Sequence, residues 1–179
     1  KEFGENIHFT EGISNSGTNF IQVTRKFVTK SFFEQLKDFK SFSIYIPNSI
    51  KKSKLSIKRE YLRALYDDEG SAVLRLNKKT KEWKRNVTLC SNSIRLLNEV
   101  KFLLSTELKI LSNKIIRNKT NNPKDQCYVL SITGKDNLSK FKKNIGFLHP
   151  IKMRKLNLII DSYGATSRNT KDFEKLKRE

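Results

Sequence analysis

The hydrophobic period of this chain changes abruptly at one residue. Up to Glu69 the apolar positions Leu62, Leu65 and Tyr66 recur at helical spacing, and from Ala72 onward apolar and polar residues alternate as in a half-buried strand. Gly70 stands at the change and reads as a helix-ending C′ residue. Two alternating segments, residues 72–77 and 83–90, are joined by a basic turn over residues 77–81. An amphipathic helix follows, with Ile94, Leu96, Leu97, Val100, Leu103 and Leu104 on its apolar stripe. The order then recurs: strand candidates at 113–117 and 126–133 span the turn signal Asn121-Asn122-Pro123, and helices are expected over 136–145 and, after Pro150, over 152–163. This order predicts an α+β fold.

Upstream, residues 6–10 and 19–24 are short, β-branched and aromatic stretches separated by Gly12, Ser14, Asn15, Ser16 and Gly17, which predicts a hairpin. A helix over 29–39 carries Phe32, Phe33 and Leu36, an extended stretch covers 42–46, and a basic run, 51–59, leads into the helix that ends at Gly70. Residues 20–26 and the following Phe32 parallel residues 129–135 and Phe141 in one register: Thr24 matches Thr133 and Lys26 matches Lys135. The expected organisation is therefore residues 1–50 as the C-terminal half of a first repeat, 51–163 as a complete repeat, and 164–179 as a basic polar tail.

At 179 residues the chain has room for one domain or two half-sized repeats sharing a core, which excludes a large multidomain enzyme. Lys and Arg number 37 against 18 acids, a net charge of +19 that calls for an anionic partner. Twelve Phe and five Tyr still supply a core. The apolar runs are far too short to cross a bilayer and no signal peptide opens the chain, so the expectation is no membrane and an intracellular, cytoplasmic and nucleoid-associated location. Cys90 and Cys127 lack the spacing of a zinc site, in keeping with a reducing compartment.

Asp67, Asp68 and Glu69 fill the last helical turn, where free carbonyls already carry partial negative charge. Acids placed there either fan out into water beside the lysines or are compensated by a bound cation. Glu69 falls seven residues after Leu62, on the stripe that also holds Leu65 and Tyr66.

The run from Tyr61 to Val73, with Leu62-Arg63-Ala64-Leu65-Tyr66-Asp67-Asp68-Glu69-Gly70 at its centre, resembles the signature of the LAGLIDADG (DOD-type) homing endonucleases in their archaeal and intein-like form. The resemblance extends to element order over residues 58–163, and to Val129–Thr133, Gly134-Lys135-Asp136-Asn137-Leu138, Phe141 and Ile145-Gly146-Phe147. It implies an αββαββα unit whose antiparallel sheet binds DNA, preceded here by a partial first repeat. It further implies that Ala64 is the small residue letting two signature helices pack, with Leu62 and Leu65 on the contact face, and that Glu69 is the acidic metal ligand. Lys135, and Lys26 as its repeat counterpart, match the basic residue that polarises the attacking water. Mg²⁺ is the implied cofactor, since hard carboxylate oxygens suit it. His8 and His149 are isolated and read as structural or solvated.

The family reads double-stranded DNA with its sheet in the major groove. Between Arg75 and Arg85 six basic residues face one acid, Glu82. Lys78, Lys79 and Lys81 in the turn suit phosphates, while Arg75, Asn77, Lys84, Asn86 and Thr88, with Ser131 and Thr133 on the last strand, line the expected DNA face; Val87 and Leu89 point to the helices. Trp83 is expected to cover the sheet edge, and Phe141 and Phe147 to be core.

These readings converge on a site-specific DNA-binding domain with metal-dependent phosphodiester cleavage as its ancestral activity. The departure from the pattern is a single acidic motif: the counterpart of Glu69 falls upstream of Lys1 if the repeat holds. A missing first half, a homodimer, or loss of cleavage each accounts for it. The alternatives are a cleavage-dead relative that binds DNA or splices intron RNA, and a ribosome-associated RNA-binding protein.

Overall fold

The computed structural model describes residues 9–13, 19–23, 41–77, 79, 80, 82–118 and 127–164. The chain divides into two compact units, Lys1–Phe39 and Lys40–Glu179.

In the first unit, β1 (Phe9–Ile13) and β2 (Asn19–Val23) pair antiparallel, with Ile13 opposite Asn19 and Phe9 opposite Val23. The hairpin is present, and its first strand runs past the expected end at Thr10 to Ile13, while residues 6–8 lie outside the described residues. Connections of a few residues are the commonest in hairpins, and pairing Ile13 with Asn19 is in keeping with that preference. The helix expected over 29–39, Lys26, His8 and the tail from residue 165 lie outside the described residues.

The second unit holds a short helix, α1 (Asn48–Lys51), then α2 (Leu55–Glu69), β3 (Gly70–Leu76), β4 (Trp83–Ser91), α3 (Ile94–Thr106), β5 (Ile116–Asn118), β6 (Cys127–Thr133), α4 (Lys135–Asn144) and α5 (Pro150–Asp161). From α2 onward this is the expected αββαββα order. Residues 41–43 are a turn, so the extended stretch expected from 42 does not begin there, and 44–46 join no sheet: Ile46 is drawn into the core and its N–H is taken by the Glu99 carboxylate at 2.7 Å.

The four strands form one antiparallel sheet in the order β3-β4-β6-β5. Alternation sends Val87, Leu89, Leu130 and Ile132 to one face, where they are fully buried against Leu97, Val100 and Leu104 of α3, Leu138 and Phe141 of α4, and Leu156 and Ile159 of α5. Each such aliphatic side chain contributes about 1.5–3 kcal/mol on burial. Phe141 meets Tyr66 edge-on at 4.8 Å and Phe147 at 5.5 Å, so both phenylalanines are core as expected.

Two glycines are fixed by geometry. Gly70 is extended (φ −95°, ψ 161°), not left-handed, so it is not the C′ residue expected. Its lack of a side chain is required by contact instead, since a Cβ there would sit 2.5 Å from the Tyr66 carbonyl oxygen. The helix consequently passes straight into β3. Gly146, at φ 63°, takes the left-handed turn after α4, and its N–H donates to the Phe141 carbonyl at 2.9 Å.

Candidate nucleic-acid interface

The carboxyl end of α2 separates its three acids into different environments. The Asp67 carboxylate accepts the N–H of Leu148 at 2.9 Å and of His149 at 3.1 Å, so it holds the chain entering α5. His149 is the N-cap of α5 and offers no side-chain cap, and Asp67 supplies acceptors from a distant part of the sequence. Lys152 donates its ammonium to the Asp67 carbonyl and, at 3.4 Å, to the Asp68 carbonyl. The negative end of the helix dipole is therefore met by a lysine of the same chain. Asp68 and Glu69 are exposed, and their carboxylates have no partner among the described residues. No group of three or more His, Cys, Asp or Glu suited to a metal occurs among the described residues.

The same helix corrects one expectation about packing. Leu62 and Tyr66 are completely buried in their own unit's core and Leu65 packs partly against it, so this stripe is not a surface for a second helix. Ala64 is exposed, on a face it shares with Ile57, Glu60 and Asp68. The opposition follows from helical geometry: positions 62 and 64 are about 200° apart around the axis. Only Ala64 of the three expected packing residues lies on the open face.

On the sheet face turned away from the helices, the expected polar side chains come together. Arg75, Asn77, Lys79 and Lys84, with Leu76, line a cleft of about 430 Å³ at the β3–β4 turn. Lys84 also borders a second concavity of about 540 Å³, together with Asn86, Ser131 and Thr133. The ladder explains the grouping, since Arg75 faces Lys84, Asn86 faces both Val73 and Thr133, and Thr88 faces both Ser71 and Ser131. Lys78 and Lys81 lie outside the described residues.

Three side chains behave differently from expectation. Asn77 uses its side-chain oxygen to accept the Lys79 N–H at 3.0 Å, and its own N–H donates to the Glu82 carbonyl, so it shapes the turn. Arg85 donates to the Ser162 hydroxyl at 2.7 Å and lies 4.8 Å from the Tyr163 ring centre, so it borders the second concavity as a side chain already anchored to the end of α5 rather than as a free phosphate grip. Asn86 has the expected facing but is only 4% exposed, on the floor of the concavity, and its Oδ1 has no hydrogen-bond partner among the described residues.

Asn113 was not anticipated. It joins the second concavity from the chain before β5, its side-chain oxygen accepting the Thr133 hydroxyl at 3.2 Å and its N–H donating to the Ser131 carbonyl. It was the first residue of the strand expected over 113–117, but among the described residues the strand runs Ile116–Asn118 and leaves Asn113 in the chain before it. Cys90 and Cys127 also belong to the open face, and the Cys90 thiol is held above its ordinary pKa, chiefly by burial and then by the Cys127 thiol and the Glu69 carboxylate.

Lys135 is exposed at the start of α4. Gly70 is level with Leu89 and Leu130, and β6 runs from there away from the acidic helix end, to Thr133. At ~3.3 Å per residue and ~4.8 Å per strand, Lys135 lies on the order of 15 Å from Glu69, beyond the reach of its side chain. Within one chain, the expected pairing of Lys135 with the Glu69 site is therefore not made.

An acid-tipped helix running directly into a sheet whose open face carries arginine, lysines and amides defines an α+β domain with a cationic sheet face. The model of the LAGLIDADG-like domain family matches residues 56–146, just over half of the chain, and covers the acidic helix and the whole sheet. The chain belongs to this family of homing endonucleases and related DNA-binding proteins. No curated protein sequence matches it at a significant level.

Proposed function

We propose that this chain is a site-specific double-stranded DNA-binding protein of the LAGLIDADG type, close to the DOD-type, archaeal and intein-like form, and that it cleaves phosphodiester bonds when a second acidic helix end joins its own. The observation that carries the reading is the division of labour at the end of α2. Asp67 is committed to the fold, whereas Glu69 projects beyond the core, unpartnered among the described residues, beside the sheet's open face.

Residues 1–50 stand in this reading as the remaining half of a first repeat. The second acid comes from an upstream first half or from another copy of the chain, packed across the exposed Ala64 face. Glu69, with Asp68 beside it, offers hard carboxylate oxygens that fit Mg²⁺. The ion, when bound, would supply an activated water and stabilise the leaving oxygen. Arg75, Lys79 and Lys84, and by their position Lys78 and Lys81, neutralise phosphates; Asn86, Thr88, Ser131 and Thr133 face base edges. Lys135 lies too far along β6 to activate water at this chain's own Glu69, and Lys26 stands as its counterpart in the first repeat.

The test is a cleavage assay on a selected target with Mg²⁺ or Mn²⁺, run beside a gel shift in Ca²⁺. Glu69→Gln should cut at least ~100-fold more slowly, because a metal ligand supplies several kcal/mol of charge stabilisation, and should keep its DNA affinity. Wild-type protein that binds the target but never cuts, with either metal and with any upstream segment restored, overturns the nuclease and leaves a cleavage-dead DNA-binding relative. The single acidic motif in this chain favours that second reading.

A further inference from the structure

The sheet's open face carries a second chemistry beside its cations. Cys90 near the end of β4 and Cys127 at the start of β6 are both free thiols, half-buried, and on the same side of the sheet. Cys90 pairs with Val129, so Cys127 is its diagonal neighbour across the two strands. Diagonal positions are ~7–8 Å apart at Cα, just beyond the usual disulfide span of ~4.4–6.8 Å. A short movement is therefore needed, and it falls at a ladder end: the β4–β6 pairing stops at Ser91–Tyr128, one residue short of Cys127, whose thiol donates to the Tyr128 carbonyl at 3.8 Å. Among the described residues it pairs with Asn118, the last of the short β5.

We propose that Cys90 and Cys127 form a reversible intrachain disulfide on the DNA-facing side of the sheet, taking a peroxide as oxidant. One cysteine attacks the peroxide oxygen as its thiolate, becoming a sulfenic acid as water leaves. The second thiol then displaces that hydroxyl as another water. Two S–H bonds and one O–O bond are lost, one S–S bond and two O–H bonds are formed, and the peroxide is reduced to two waters. A cross-link slightly strained by its diagonal span is readily reduced again by thiols.

The position gives the cross-link a consequence, which rests on the DNA-binding reading above. The next same-face pair along the ladder is Thr88–Ser131, and Glu69 precedes the residue paired with Leu89, the immediate neighbour of Cys90. Drawing Cys127 toward Cys90 changes the twist of β6 against β4 where the duplex is to be read, and replaces S–H donors with an apolar bridge. Oxidation should weaken duplex binding on the order of fivefold.

The test uses the full chain, reduced and then treated with hydrogen peroxide. Intact mass under non-reducing, denaturing conditions should fall by two hydrogens, peptide mapping should join the Cys90 and Cys127 peptides, and dithiothreitol should reverse both. Cys90→Ser and Cys127→Ser should show no such loss, and the gel-shift affinity of Cys90→Ser should not respond to peroxide. Disulfide-linked dimers, or oxygen adducts on the thiols without a cross-link, overturn the proposal. A mapped cross-link with unchanged affinity overturns the coupling to DNA. A reduced chain that binds no duplex at all instead strikes the DNA-binding reading, while the peptide map decides the dithiol by itself.

Discussion

The carboxyl end of α2 and the open face of the sheet are both built from polar residues packed closely in sequence, yet they obey different rules. On the sheet, facing is decided locally: a period of two sends Val87 and Leu89 to the core and leaves Lys84 and Thr88 outside, whatever the rest of the chain does. At the helix end, Asp67, Asp68 and Glu69 are consecutive, and which one is structural is decided by contacts with residues 148, 149 and 152. Adjacent acids there have unlike roles because a distant helix start needs acceptors in one place only. Local pattern predicts a surface, and long-range contact assigns the individual residue.

The sharpest way to break this contrast is to exchange the outcomes of its two acids. Glu69→Gln is expected to abolish metal-dependent cleavage with folding intact, the largest effect on the protein. Asp67→Ala should do the reverse: it leaves the N–H groups of Leu148 and His149 without their acceptor and should cost about 1–3 kcal/mol of stability. Denaturant midpoints on both variants check this. A Glu69→Gln protein that unfolds early, or an Asp67→Ala protein of undiminished stability, would show that the two acids have been assigned the wrong way round.

On the sheet, the comparison concerns phosphates against bases. Lys79→Ala and Lys84→Ala should each weaken binding to all duplexes by similar factors and lower the slope of log affinity against log salt by about 0.9, one counterion contact apiece. Asn86→Ala should change the ranking of target sequences with little change in that slope. Binding measured at several salt concentrations on a small panel of duplexes separates the two. Should Lys79→Ala reorder the panel, the cleft at the β3–β4 turn reads sequence rather than charge.

How far the fold was legible follows from the same contrast. The switch of period at Gly70, the stripe of α3 from Leu96 to Leu104 and the inward Val87 and Leu89 were all visible, because each is set within a turn or two of its own residue. The reason for Gly70 was not, since it lies in the close approach of the Tyr66 carbonyl rather than in a left-handed backbone. Asn77 and Arg85 carried the right chemistry for DNA, but hydrogen bonds to Lys79 and Ser162 claim them. Leu62 was placed on the correct stripe and the wrong surface: periodicity says which residues share a face, and only the packed helices say which face is covered.

The smallest expected effect lies at Tyr66, where the helix end and the sheet's core side meet. Its ring is wholly buried against Phe141, and its hydroxyl has no hydrogen-bond partner among the described residues. Burial pushes the phenol well above its ordinary value of 10.0, so the folded state favours the neutral form. The sign follows directly: this preference contributes fully while the unfolded chain is also protonated, and stability is lost once pH rises above 10.0, where only the unfolded phenol ionises. Tyr66→Phe keeps the ring and removes the unsatisfied hydroxyl, so it should be neutral or stabilising by about 1 kcal/mol at pH 7. Above pH 10.0 its advantage over the wild type should widen. Cleavage and DNA affinity should be unchanged, because Tyr66 faces the core and neither the acid end nor the open sheet. Urea titrations of both proteins at pH 7 and in the alkaline range provide the measurement. A Tyr66→Phe variant less stable than wild type at both would reveal an acceptor for the hydroxyl, and would tie the end of α2 to the core by a polar contact as well as by packing.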